Sequence, residues 1–199
     1  MITVHLVHGF NVKNLGATTT DKLRTHFESR GFLVRETNFG YRGLFGVRFG
    51  NDKRAEQLAA EIKPGDILVG HSDGCNLICM ALWILNGLGI TDQVSTVFFN
   101  PALDRDTPMP AIVKSALVFH TKSDKVVWFS KLLLWHRWGQ MGRLGAVGGV
   151  FINCPYERLG LAGLGHSGVF LNDYRLFSCM GVFDIWYFDP GRAKKFIET

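Results

Sequence analysis

Short apolar runs alternate along the chain with longer segments in which apolar residues return every three or four positions. Residues 2–7 (ITVHLV) read as a short buried strand. A polar, threonine-rich stretch follows. A helical pattern then covers 20–30, with Leu23 and Phe27 on one face and Gly31 placed as its C-cap. Residues 32–37 predict a second strand. The segment 40–51 (GYRGLFGVRFGN) reads as a glycine-punctuated loop, and 52–63 as an amphipathic helix ended by Pro64-Gly65. ILVG at 67–70 predicts a third strand, followed by a long apolar helix from Ser72 to about Asn86. VSTVFFN at 94–100 and SALVFH at 115–120 predict the fourth and fifth strands, 126–138 a helix, and VGGVFIN at 147–153 a sixth strand. A glycine-rich loop and a helical C-terminal part finish the chain.

Strands that alternate with helices and are apolar on both faces, such as ILVG and ALVF, predict an α/β fold. Its sheet is parallel and covered on both sides. With 199 residues, no internal repeat and no linker-like stretch, residues 1–199 are expected to form one domain. With 47% hydrophobic and 20% charged residues the chain can bury a sizeable core and need not be disordered. The 23 glycines exceed the usual ~7%. They show no three-residue period, so they serve turns rather than a collagen helix.

The net charge of +5 is spread out, with no block of five like charges. This speaks against a nucleic-acid partner and allows only weak attraction to an anionic surface. Arg192, Lys194 and Lys195 form the one small cluster, read as a solvated helix face. Cys75, Cys79, Cys154 and Cys179 form no CxxC pair and no zinc spacing, so buried free thiols in a reducing compartment are expected. MITVHLVHGF lacks the basic start and long apolar run of a signal peptide, and no stretch of about 18 apolar residues predicts a transmembrane helix. A cytoplasmic location is the expectation.

The candidate chemistry lies in Gly70-His71-Ser72-Asp73-Gly74, the chain's one GxSxG sequence. It follows the strand ILV and opens a helix. That strand-turn-helix setting holds a serine in a strained turn, displays its hydroxyl at the carboxyl edge of the sheet, and sets it beside a helix N-terminus that favours developing negative charge. Gly70 and Gly74 remove side chains that would collide with neighbouring elements, and His71 supports the turn.

With these motifs the chain resembles the α/β-hydrolase family over nearly its whole length. His8-Gly9-Phe10 after the first strand is similar to the family's oxyanion loop. Ser72 matches the nucleophile, Asp124 in HTKSDKVV the acid, and His166 in GLGHSGVF the base. The order Ser, Asp, His is the family's order. Asp73, where the family more often has an apolar or amide residue, is expected to point away from the oxyanion and complement the helix dipole. The resemblance implies a minimal member, with about six mostly parallel strands and helices on both faces. Only about fourteen residues separate the fourth and fifth strands, too few for a cap of ordinary size.

Weighing the residues one by one leaves alternatives. Asp66 precedes its strand and sits at the wrong edge, whereas Asp104 follows the fourth strand and is the alternative acid. His5 lies inside a strand and reads as a core histidine; His120 ends a strand near Asp124 and is the fallback base. Gly163, Gly165 and Gly168 give the His166 loop its reach. They also fit GxGxxG, but no βαβ unit surrounds them.

The family chemistry is acyl transfer to water. Ser72 would attack a carbonyl, His166 would relay the proton and Asp124 would stabilise the imidazolium. The backbone N–H groups of Phe10 and Asp73 would form the oxyanion hole. Neither a metal nor an organic cofactor is implied, and the partner is a small-molecule ester or acyl compound. Thioesterase and lipase chemistry are close neighbours. A different class, a catalytically inactive hydrolase-fold binding or interaction protein, also fits the scaffold. The segment 126–145, with Trp128, Trp135 and Trp138, reads either as a helix packed on the sheet or as a lid that meets lipid.

Overall fold

The computed structural model describes residues 1–9, 16–37, 44–130 and 139–198, with backbone alone at 44–49, 129–130 and 198. Six strands form one sheet: β1 (Thr3–Val7), β2 (Leu33–Glu36), β3 (Ile67–His71), β4 (Val94–Phe99), β5 (Val113–His120) and β6 (Phe151–Pro155). Their order is β2-β1-β3-β4-β5-β6, and every neighbouring pair is parallel. The expected "mostly parallel" sheet is therefore parallel throughout.

The pleat sends alternate residues to two cores. Val4, Leu6, Ile67, Val69, Val97, Phe99, Leu117 and Phe119 face one side, where they meet Leu23 and Phe27 and the buried stripes of the C-terminal helices. Leu68, Phe98, Ala116 and Val118 face the other, against Ala55, Leu58 and Leu82. The first layer holds α1 (Arg24–Glu28), α6 (Asp173–Phe188) and α7 (Pro190–Glu198); the second holds α2 (Leu44–Glu61) and α3 (Asp73–Gly87). The short helices α4 (Lys125–Ser130) and α5 (Met141–Leu144) lie between β5 and β6. A bidentate ion pair from Arg30 to Asp184 ties the end of the α1 segment to α6.

Two starts differ most from the sequence pattern. Residues 44–51 are the first turns of α2 rather than a loop. Each glycine there costs a helix only about 1 kcal/mol, which the packing of Ala55, Leu58 and Ala59 on α3 offsets. The sixth strand begins at Phe151, not at 147. Gly148 takes φ +129°, and Phe151 N–H turns back to the Gly148 carbonyl at 3.4 Å, which delays entry to the sheet. Of the expected 126–138 helix, α4 is described; 131–138 lie outside the described residues, as do 40–43 of the expected loop.

The chain leaves β1 toward β2 and leaves β3 in the opposite direction, so the strand order reverses between β1 and β3. In an open parallel sheet the crevice at such a reversal, outside the carboxyl ends, is where ligands bind. Ser72 follows β3 at that point.

Candidate active site

Ser72 joins the fully buried strand β3 to α3 with φ 56° and ψ −125°. Among the described residues only Ser72 and Asn100 hold a positive φ without being glycine. The surroundings fix this strained turn. Ser72 N–H donates to the Phe99 carbonyl at 3.1 Å, and its own carbonyl accepts from Cys75 and Ala102 at 3.1 and 3.2 Å. A Cβ on Gly70 would lie 2.9 Å from Ile78 Cδ1 and 3.0 Å from Cys75 N, and one on Gly74 would run into the Val7 and His8 carbonyls. Gly9 faces the turn from the other side, where a Cβ would sit 2.8 Å from Ser72 Cβ.

Asp124 is fully buried in the loop between β5 and α4. Its Oδ1 accepts the Val127 N–H at 3.0 Å. Its Oδ2 accepts from His166 Nδ1 at 2.8 Å and from Asn100 Nδ2 at 2.9 Å. His166 is 12% exposed in a loop that turns at Gly163 (φ +73°) and closes with Gly168 N–H on the Gly165 carbonyl. With Nδ1–H given to Asp124, Nε2 is the nitrogen left for a proton. No hydrogen bond joins His166 to Ser72 in this structure. The two meet through His71, whose Nε2–H donates to the His166 carbonyl at 3.1 Å and whose ring lies 4.9 Å from the His166 ring.

The other candidates separate. Asp104 is exposed and forms no hydrogen bond or ion pair with His166. It borders a groove with Asp52, Glu56, Asn76, Met80 and Trp83 on the flank of α3. His120 packs beside Gly145 at the end of β5, and burial lowers its pKa. His5 is fully buried and meets Asp66 Oδ2 at 2.9 Å, and Asp66 also takes the Thr3 and Lys63 N–H groups. Asp73 stands in the first turn of α3, buried, and accepts Asn51 Nδ2 at 3.3 Å. His8 is buried with Nδ1 3.0 Å from the Gly9 carbonyl. Trp128 is 45% exposed on α4. Phe10, Trp135 and Trp138 lie outside the described residues.

No protein-family profile and no curated protein matches the chain. Solved structures do. An extracellular α/β-hydrolase from a Paenibacillus species, described as structurally and functionally homologous to tobacco Salicylic Acid Binding Protein 2, is similar with a TM-score of 0.54. The two are 11% identical over 92% of this chain and 98% of that one. The chain has the α/β-hydrolase fold. A protein described as a YdeN-like hydrolase from Pectobacterium atrosepticum is 15% identical, with a TM-score of 0.46 over 84% of this chain and 80% of its own. A pyrethroid hydrolase from Sphingobium faniae is 21% identical, with a TM-score of 0.34 over 54% of this chain and 42% of its own.

At the carboxyl edge of this hydrolase-fold sheet stand two residues that sequence reasoning missed. Asn100 is fully buried with φ 46°, and Tyr156, also fully buried, donates its hydroxyl to Asn100 Oδ1 at 2.9 Å. The Asn100-Pro101 step after β4 is a turn signal, but nothing local in the sequence reveals that the asparagine amide meets Asp124. The four cysteines are free and buried, and burial raises all four thiol pKa values, to about 12 for Cys79 and Cys154. Among the described residues no group of three His, Cys, Asp or Glu side chains is placed to hold a metal ion. Nor is any described helix long and apolar enough to cross a membrane.

Proposed function

We propose that this chain is a serine hydrolase of one domain that cleaves a carboxylic ester or a related acyl compound through Ser72, His166 and Asp124. The observation that carries the reading is the 2.8 Å contact from His166 Nδ1 to Asp124 Oδ2, in a loop clasped by the residue next to Ser72. A carboxylate on Nδ1 fixes the tautomer in which Nε2 can accept a proton. The strained serine turn and the α/β-hydrolase fold support the same reading.

In this mechanism Ser72 Oγ attacks the substrate carbonyl while its proton passes to His166 Nε2. Asp124 stabilises the imidazolium. Negative charge gathers on the carbonyl oxygen beside the N-terminus of α3, where the backbone N–H groups of Asp73 and Phe10 are assigned as its donors. The imidazolium then protonates the leaving alcohol. A water, deprotonated by the same nitrogen, releases the acid and restores Ser72. The substrate is a small-molecule ester, with thioesters and longer acyl chains as the related classes. Four unpaired, buried thiols support a reducing, cytoplasmic setting.

A fluorophosphonate probe tests the proposal. Labelling is expected at Ser72 and should disappear in Ser72→Ala together with p-nitrophenyl ester hydrolysis. Intact, folded protein that neither labels nor hydrolyses would overturn the assignment and favour a binding protein built on the same fold.

A further inference from the structure

The proposed reaction leaves Asn100 unused, yet its side chain touches the reaction's acid. It follows β4 with its N–H on the Phe119 carbonyl at 2.9 Å. Its φ of 46° turns the side chain sideways, in a left-handed conformation that asparagine tolerates better than most residues. Nδ2 donates to Asp124 Oδ2 at 2.9 Å, the same oxygen that accepts His166 Nδ1–H at 2.8 Å. On the far side Tyr156 donates its hydroxyl to Asn100 Oδ1 at 2.9 Å. An ionised carboxylate only accepts, so the amide must present its NH₂ to Asp124, and the Tyr156 donor holds it that way round. Tyr156 is itself fixed, buried and stacked on Phe119 with centroids 5.9 Å apart and planes 9° from parallel. Burial raises its pKa, so the phenol keeps its proton.

We propose that Asn100, locked by Tyr156, is a positioning residue that shares the Asp124 oxygen with His166 and so restrains the proton affinity of the imidazole. A hydrogen bond to a buried carboxylate favours its charged form. Two donors on one oxygen divide its charge between them. Removing the amide leaves the whole of that oxygen to the imidazole, which favours the imidazolium and moves the His166 titration to higher pH. A higher value withdraws the free base from neutral solution. Asn100 thereby keeps His166 available to accept a proton. The effect on turnover rests on the Ser72–His166–Asp124 reading; the effect on His166 itself does not.

The titratable groups around the pair are His71 and His8 on the serine side, with Cys154 on β6, Tyr156 directly after it, Cys179 on α6 and Cys75 on α3. Burial, then the nearby His166 charge, keeps His71 neutral down to about pH 3, and burial keeps the phenol and thiols protonated.

The test is an NMR titration of the His166 ring carbon in the unmodified protein and in Asn100→Gly, Asn100→Leu and Tyr156→Phe. Asn100→Gly suits the positive φ and so preserves the backbone, whereas Asn100→Leu also excludes a replacement water. The expected result is an upward shift of about half a pH unit or more in both Asn100 variants, and a smaller one in Tyr156→Phe. The acid limb of kcat/KM for a p-nitrophenyl ester should move with it, which is about a threefold loss on that limb. If Asn100→Leu does not fold, Asn100→Gly decides alone. An unchanged His166 titration in folded Asn100→Gly overturns the inference, as does a loss of rate that is equal at every pH. A shifted titration in a protein that hydrolyses no ester would instead sink the proposed reaction and leave this role of Asn100 standing.

Discussion

His71 and His166 are held together ring beside ring, 4.9 Å between centroids, with the His71 Nε2–H on the His166 carbonyl at 3.1 Å. The residue before the strained serine thus grips the backbone of the loop that carries the candidate base. Phe170 closes the other side of His71, edge-on at 5.0 Å. The grip needs a neutral His71, because a second cation would repel the imidazolium that the proposed reaction forms. Its burial supplies that, lowering the His71 pKa to about 3.

Acid should therefore loosen the molecule through His71. The unfolded chain has an ordinary histidine near 6.5 and takes up a proton first as pH falls. The contribution is complete above about 6.5 and is lost on the way down to about 3. The slope reaches at most about 1.4 kcal/mol per pH unit, roughly 3–5 °C in Tm for a chain of this size. His120, also lowered by burial, works in the same direction. Asp21, raised to about 6 by burial and then by Glu36, works in the opposite one between about 6 and 4. In His71→Gln, which keeps a side-chain donor, Tm measured from pH 7 to pH 4 should fall less steeply. An unchanged slope would remove His71 from the account.

Glycine at 74 is a packing requirement of the site. A Cβ there would overlap the Val7 and His8 carbonyls, backbone atoms that cannot swing aside. Gly74→Ala should separate α3 from the end of β1 and cost about 1–3 kcal/mol in urea denaturation. Gly9→Ala places its Cβ 2.8 Å from Ser72 Cβ and 2.9 Å from the His71 carbonyl. It should reduce fluorophosphonate labelling of Ser72 by more than its loss of stability explains. Equal labelling in the folded variant would show that the turn yields without consequence.

Asp73 offers a separate check on the serine turn. Its carboxylate accepts from Asn51 on α2 at 3.3 Å and stands in the first turn of α3, at the positive end of the helix dipole. Asp73→Ala should cost about 1 kcal/mol of stability. The backbone N–H stays in place, so ester turnover should remain within a few-fold. A large loss of turnover at full stability would assign the carboxylate itself to the chemistry.

The sheet and the serine turn are written locally. Period-two and unbroken apolar runs mark β1, β3, β4 and β5, and Gly70 and Gly74 flank a serine at a strand-helix junction. The start of β6 is not, because VGG reads as strand until Gly148 takes a positive φ that only three-dimensional packing requires. Helix α2 begins eight residues earlier than its polar-apolar pattern, since contacts of Ala55 and Leu58 with α3 override local glycine costs. The Asp124–His166 pairing spans 42 residues and was legible only through motif order. The Tyr156–Asn100 contact spans 56 and carries no motif at all. Side-chain networks of this reach depend on how the loops after three strands converge, which no window of sequence contains.

The choice between Asp124 and Asp104 as the acid can be made by paired substitution. In Asp124→Asn one oxygen can still accept the Val127 N–H, as Oδ1 does at 3.0 Å. The other position then becomes an NH₂ facing both His166 Nδ1–H and Asn100 NH₂, donor against donor. Turning the amide over only moves the conflict to Val127. The imidazole must then abandon its tautomer, which in serine hydrolysis removes roughly four orders of magnitude of rate. The buried, unsatisfied donors should cost about 1–3 kcal/mol of stability besides. Asp104 is exposed beside the flank of α3, so Asp104→Asn should leave kcat within about twofold and Tm unchanged. Steady-state ester hydrolysis and thermal melts of the two variants check this directly. A collapse of turnover in Asp104→Asn with Asp124→Asn still active would reverse the assignment.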